Sequence, residues 1–492
     1  MNSISRTILA TSLVTGLLLA SGPVTAQEEG NTLEGFKVTG LPLVSFSTDD
    51  GFGYGLRIFG TNYVEGVDPF DYQMYVQYYK TTLGFEYHEV ALDTLNFLGT
   101  PYRVKFNAGF ARTLNAQWYG RGNFHDLQKE QKIKNGELPT GENIPEVADI
   151  PIRKDQKDIP EGWEWVRSFD SPYLTLNRKA VDNFQDFLER EPQRHKTSDI
   201  VNTKGREYYR QTQNKFYNYD RIRPFATAST EQFIGSSNFK YFLGFRGQRY
   251  RIQSYKNDID SGDRLPNNQT LIDLERPTGY DATEKERFVN GVRGAIAYDS
   301  RPREREKNPN TGIFADLHVE GVGKGTGSHY TFTRVTATWR HYIDIFPSLF
   351  NPAGELVFAY RIQGQETFGD VPFFEAGRIY TMDEANEGIG TNRGVRGYAA
   401  NQFVDTVMGM VNTELRWTFA KTGFLGGMDF VMLAYYDTGR VADKWENMTS
   451  DGMHNAVGGG IRMVWQKNTI VNISYGRSKY GVNGNFSFNH MF

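Results

Sequence analysis

The sequence predicts an all-β fold: a transmembrane antiparallel β-barrel of about sixteen strands with a large extracellular insertion. Three observations carry this. Apolar and polar residues alternate with a period of two over segments of roughly ten residues, the length a tilted strand needs to cross a bilayer. Tyr and Phe together outnumber the acidic residues, at 28 and 35 against 58 Asp+Glu, and such aromatic wealth suits a lipid–water boundary. The links between the alternating segments also sort by side, short ones and long ones. A soluble sandwich alternates too, but its strands run nearer 5–6 residues.

The N-terminus reads as an export signal over 1–26. Arg6 supplies the positive start, 7–20 is apolar, Pro23 breaks the run, and Val24-Thr25-Ala26 offers small residues for cleavage between Ala26 and Gln27. Residues 27–40 follow as a short periplasmic segment, and 41–492 as the barrel. No later stretch is long and apolar enough to span a bilayer as a helix. The chain has no Cys, which excludes disulfides, thiolate metal sites and a Cys nucleophile. A formal net charge of -3 without a basic stripe argues against a nucleic-acid partner.

The strands are expected at 41–47, 52–61, 70–81, 84–93, 101–112, 222–234, 238–252, 287–300, 311–322, 329–343, 354–366, 405–419, 428–439, 455–466, 468–477 and 484–492. In the third, Phe70, Tyr72, Met74, Val76 and Tyr78 share one face, opposite Asp71, Gln73, Tyr75 and Gln77. In the eleventh, Leu356, Phe358, Tyr360 and Ile362 oppose Glu355, Arg361 and Gln363. In the twelfth, Val411, Leu415, Trp417 and Phe419 oppose Asn412, Glu414 and Arg416. One face suits lipid and the other an aqueous lumen. With a periplasmic N-terminus, short turns such as Ser236-Ser237 and Gln466-Lys467-Asn468 fall on the inner side. The longer links 113–221, 254–286, 367–404 and 440–454 fall outside, as in bacterial barrels.

The insertion 113–221 is polar and far longer than an ordinary loop. Asn177, Val181, Phe184, Leu188 and Pro192 predict one short amphipathic helix in it. Trp163, Trp165 and Tyr173 call for burial rather than full disorder. The last strand alternates Phe486 and Phe488 with polar residues and ends the chain on Phe492. An aromatic end of this kind resembles the C-terminal recognition signal of outer-membrane barrels, and it is an edge that can pair with another sheet.

The site candidates lie in the link 367–404 and the strands after it. Arg396 stands between Gly394 and Gly397 in Gly394-Val395-Arg396-Gly397-Tyr398. Glycines allow a tight turn with the arginine at its tip, and a guanidinium fork pairs well with carboxylates in a confined space. By strand phase, Glu414 and Asp437 both point inward on neighbouring strands, and Gly439 leaves room for close approach. A loop folded down into the lumen would dock Arg396 on these two acids.

These residues resemble the Omp85 superfamily of outer-membrane barrels, the bacterial surface antigen D15-like group with BamA/TamA-type barrels. The resemblance covers 41–492 apart from the insertion, and implies a sixteen-stranded barrel whose sixth external loop enters the lumen. Val395-Arg396-Gly397-Tyr398 matches that loop's Val/Ile-Arg-Gly-Phe/Tyr motif. Tyr435-Tyr436-Asp437-Thr438-Gly439 matches the Phe/Gly-x-Asp-x-Gly of strand thirteen, with Tyr at its first place. The family pairs the loop arginine with that aspartate, which implies Arg396–Asp437, and it places a carboxylate where Glu414 stands. Asp299-Ser300-Arg301 through Gly312 resembles a family turn. Family members that assemble or translocate proteins carry POTRA modules before the barrel. Each needs on the order of 75 residues, and 27–40 is too short for a compact domain, so a POTRA-less member is expected.

The function this implies is outer-membrane assembly or transport in the bacterial cell outer membrane. Its partners would be outer-membrane lipid, a protein or lipid client, and a separate periplasmic protein. A short first strand, Leu41 to Ser47, would leave a weak seam with the last. The alternative is a passive porin-like channel or surface antigen. An enzyme is not expected: His454-Asn455 evokes a Ser-His-Asn lipase, but no serine can be assigned to it. No cofactor or metal is expected either. Asp258-Ile259-Asp260-Ser261-Gly262-Asp263 lacks the spacing and closing Glu of a calcium loop, and the His residues are scattered. Trp339, Trp417 and Trp465 read as interface-belt aromatics.

Overall fold

The structure is a computed structural model that describes residues 34–47, 51–67, 70–118, 120–122, 165–166, 174–175, 218–254, 272, 276–280, 286–306, 308–345, 355–382, 385–390, 393–423, 427–465, 469–479 and 481–488. Sixteen antiparallel strands close into one barrel. They are β1 (Gly35–Ser47), β2 (Gly51–Tyr63), β3 (Tyr72–Thr81), β4 (Phe85–Thr94), β5 (Arg103–Gln117), β6 (Asn218–Phe233), β7 (Phe239–Ser254) and β8 (Glu286–Asp299). The second half comprises β9 (Gly312–Val322), β10 (Phe332–Asp344), β11 (Glu355–Gly369), β12 (Val407–Thr422), β13 (Met428–Ala442), β14 (His454–Trp465), β15 (Thr469–Ser478) and β16 (Gly481–Phe488). Each strand pairs with its sequence neighbours, so the order is a simple up-and-down meander.

The period-two pattern decides which side chains face where. Met74, Val76 and Tyr78 on β3, Ile362 on β11, and Leu415, Trp417 and Phe419 on β12 are exposed on the outer wall. Trp339 is exposed on the same wall, as a belt residue should be; the side chain of Trp465 lies outside the described residues. Inside, the largest fully buried side chains are led by Arg246, Arg334, Arg361 and Arg462. The inner face of the barrel is therefore polar and carries large charged side chains. Among the described residues no helix is long and apolar enough to cross a membrane.

Two boundaries differ from the sequence reading. The first strand starts at Gly35, not Leu41, so the short N-terminal segment loses 35–40 to the barrel wall. Gly35 through Gly40 pair in register with Tyr63 through Ile58 of β2. The alternation of Phe36 and Val38 with Lys37 and Thr39 simply continues across Gly40. The insertion is likewise narrower than 113–221. β5 and β6 stay paired as far as Gln117 with Asn218, past a register shift between Thr113 and Ala116. Within it, Trp165–Val166 pairs with Leu174–Thr175. The helix expected between Asn177 and Pro192, the signal segment with Ala26 and Gln27, the Asp258–Asp263 stretch and Phe492 all lie outside the described residues.

Candidate functional site

The link from β11 to β12, residues 370–406, enters the lumen and meets the wall at two places. At its tip stands Arg396. Its Nε donates to Asp437 Oδ2 at 2.7 Å and its Nη2 to Oδ1 at 2.8 Å, a bidentate fork. The Arg396 backbone N–H adds a third bond to the same carboxylate at 3.1 Å, and Nη1 donates to Glu414 Oε1 at 2.6 Å. Both acids are 0 % exposed. They lie side by side because Glu414 faces Tyr435, and Asn412 faces Asp437, across the β12–β13 ladder.

The surroundings satisfy what this pairing leaves over. Glu414 also accepts from Arg416 Nε at 2.7 Å and from Arg462 Nη1 and Nη2 at 2.9 and 2.8 Å. Asn412 Nδ2 donates to Asp437 at 3.0 Å and to the Gly394 carbonyl at 2.8 Å. Under the guanidinium lies the Tyr435 ring, its centroid 3.4 Å from Arg396 Cζ. That is cation–π contact in a desolvated place, where such contacts are strongest. A buried charge cluster holds only if each member is paired and hydrogen-bonded, and this one is.

Backbone geometry lets the tip sit so close. Gly397 has φ +96°, a conformation L side chains rarely adopt. A Cβ on Gly439 would stand 2.9 Å from Val395 Cγ2, so a glycine is required for the loop to lie against β13. From the other side, Tyr398 Oη donates to the Asn455 carbonyl at 3.0 Å, and Ser478 Oγ donates to the Gly397 carbonyl at 2.8 Å. The tip thus touches β12, β13, β14 and β15. His454 is buried with its ring stacked on Phe403 at 3.5 Å, which gives it a packing role.

The second place was not anticipated from the sequence. A one-turn helix, Phe373–Ala376, carries Glu375, which is 0 % exposed. Arg246 of β7 donates to it from Nη1 at 3.2 Å and Nη2 at 3.0 Å. Arg334 of β10 donates to its carbonyl at 2.9 Å and its carboxylate at 3.4 Å, and Tyr250 Oη donates as well. Glu320 of β9 lies between the two arginines and bonds both. Burial pushes the Glu375 carboxyl up, but Arg246, Arg334 and Arg378 outweigh it and hold the group well below the usual carboxylate range. Beside it, Phe373 and Phe374 pack with Trp118, Tyr219, Tyr250, Ile272, Val289 and Phe332. Those residues come from the walls and, in Trp118 and Ile272, from the two other long links, and together they form one apolar cluster.

The turn after β8 is also built from charge. Asp299 accepts from Arg301 Nε and Nη2 at 2.9 Å each, and pairs with Lys240 Nζ at 2.9 Å. The seam between β1 and β16 contrasts with all of this. Among the described residues, Phe46 with Phe486 and Ser47 with Asn485 face each other there, and β1 has thirteen residues. The first strand is therefore not short. Phe486 and Phe488 lie on β16. Among the described residues no group of His, Asp and Glu could hold a metal ion.

No protein-family model matches the chain, and no curated protein matches it in sequence. Its fold is similar to that of BamA from Haemophilus ducreyi lacking POTRA domains 1-3, at 12% identity and TM-score 0.48, over 99% of this chain and 78% of that one. It is similar to CdiB from Acinetobacter baumannii at 11% identity and TM-score 0.45, over 93% and 60%. For CdiB from Escherichia coli the values are 8% and 0.47, over 95% and 68%. These are distant likenesses of fold.

Proposed function

We propose that the chain is an Omp85-type outer-membrane protein taking part in assembly or transport at the bacterial outer membrane. The observation that carries this reading is the Arg396 fork on Asp437, with Glu414 beside it and Tyr435 beneath. In this reading the loop is a latch: it stiffens the β12–β15 wall and occludes the lumen. In the same reading the β1–β16 seam is where a client strand or a lipid enters: among the described residues two pairs face each other there, and an unpaired strand edge is a template for another strand. The clients and any periplasmic protein that delivers them belong to the proposal. The test is depletion of the protein followed by outer-membrane proteomics. Loss of a defined set of barrels or lipids supports assembly or transport, and an unchanged membrane with altered solute uptake alone contradicts it. A passive channel would need an open lumen, which the pinned loop and the apolar cluster beside Glu375 oppose.

A further inference from the structure

The link from β4 to β5 contains the most exposed large apolar side chain of the described residues. Leu98 is 86 % exposed and has φ 54° and ψ 35° inside the turn Phe97–Gly99. Left-handed backbone is unfavourable for a leucine, and so is an apolar side chain standing free in water. The turn is nevertheless stitched in place. Phe97 N–H donates to the Tyr102 carbonyl at 3.1 Å, Gly99 N–H to Asn96 at 3.0 Å, and Leu95 N–H to Asp71 at 2.9 Å.

The turn leans over the outer wall. Met74 faces Leu92, and Tyr72 faces Thr94, across β3 and β4; Met74 is exposed on the lipid side. Thr94 shares that side yet is buried, because the turn folds back across it. Between turn and wall lies a shallow, open cleft of about 460 Å³, lined by Asp71, Tyr72, Leu92, Thr94, Asn96 and the turn residues Phe97, Leu98 and Gly99. Its apolar walls continue the lipid-facing surface: the Tyr72 ring contacts Phe36 of β1 at 6.4 Å. Asp71, which the alternation placed opposite Tyr72, is instead the bend residue just before β3 and lines the same cleft; it accepts from Asn62 Nδ2 at 3.3 Å and has no cationic partner among the described residues.

We propose that this cleft seats a phospholipid with a primary-amine headgroup, with Leu98 dipping among the acyl chains. The carboxylate end accepts from the ammonium, and Tyr72, Leu92 and Phe97 flank the upper chain. Immersion in lipid turns the exposure of Leu98 from a cost into an anchor, which accounts for a strained, solvent-facing leucine. The site lies on the rim where β1 begins, on β3 and β4, and involves neither the lumen loop nor the charged pins.

The chain has no cysteine, so Leu98→Cys gives a unique site for a nitroxide label, with Phe97→Cys as a second. In vesicles of phosphatidylethanolamine and phosphatidylglycerol, both labels should be relaxed more by dissolved oxygen than by a water-soluble nickel chelate. Stronger relaxation by the chelate at both positions overturns the immersion. For the headgroup, native mass spectra from detergent with the two lipids at equal concentration should show several-fold preferential retention of phosphatidylethanolamine. Asp71→Asn should abolish the preference while heat-modified gel migration stays that of the parent. Equal retention by the parent, or a preference that survives Asp71→Asn, overturns the assignment.

Discussion

The lumen loop meets the wall with opposite charges at its two ends. At the tip, a cation, Arg396, enters a site of two acids on β12 and β13. At the first turn, an acid, Glu375, enters a site of two arginines on β7 and β10. Neither end can bind in the other's place, because each would bring like charge to like in a dry interior. Opposed polarity therefore sets the direction in which the loop lies as well as its attachment. The two sites also differ in what remains when the loop side chain is removed. Glu414 keeps the cations Arg416 and Arg462, but Asp437 keeps only neutral donors, the Asn412 amide and the backbone N–H of residue 396, and loses its cation. Arg246 and Arg334, in contrast, still share Glu320. The tip is the less buffered of the two.

Substitutions at the two ends should sharpen that difference. Arg396→Ala strands a buried carboxylate and should cost about 3–5 kcal/mol, seen as a lower temperature for the mobility shift of the folded barrel in detergent gels. Glu375→Gln keeps the shape and the Glu320 bridge, so about 1.5–3 kcal/mol is expected in the same assay. An equal or larger loss at Glu375 would break the comparison. The acid end has a pH signature as well. A carboxyl depressed in the folded state stabilises it above the unfolded pKa, about 4.3, and that contribution fades only as pH falls through the lower folded value. Limited proteolysis of the loop at pH 4 should therefore match that at pH 7 in the parent chain. Arg396→Lys keeps the charge but loses the fork and the stacking on Tyr435, for about 1–2 kcal/mol on the scale of desolvated cation–π contacts. Tyr435→Leu should be smallest, about 0.5–2 kcal/mol, because both carboxylates stay in place.

What was legible in the sequence follows from periodicity. A strict two-residue repeat fixes the face of every strand position, so the sequence alone turns Glu414 and Asp437 inward and matches them to Arg396. Glu375 had no such frame. It sits in a one-turn helix of an aperiodic link, and its partners are 129 and 41 residues away. A clue was present in the inward phases of Arg246 and Arg334, which have only Glu320 between them on the neighbouring strands. Tyr435 was noted as the departure in its motif without a reason; its ring fills the space under Arg396. The first strand begins at Gly35 rather than Leu41, because Phe36 and Val38 carry the alternation only two apolar positions further, too few to stand out from sequence alone.

The central claim is that the loop, pinned at both ends, closes the lumen. Single-channel recording in planar bilayers tests it most directly. The parent protein should be mostly closed, with rare and irregular openings, and Arg396→Ala should open to larger and more frequent currents. A large, steady, ion-selective current through the parent, unchanged by Arg396→Ala, would contradict the account.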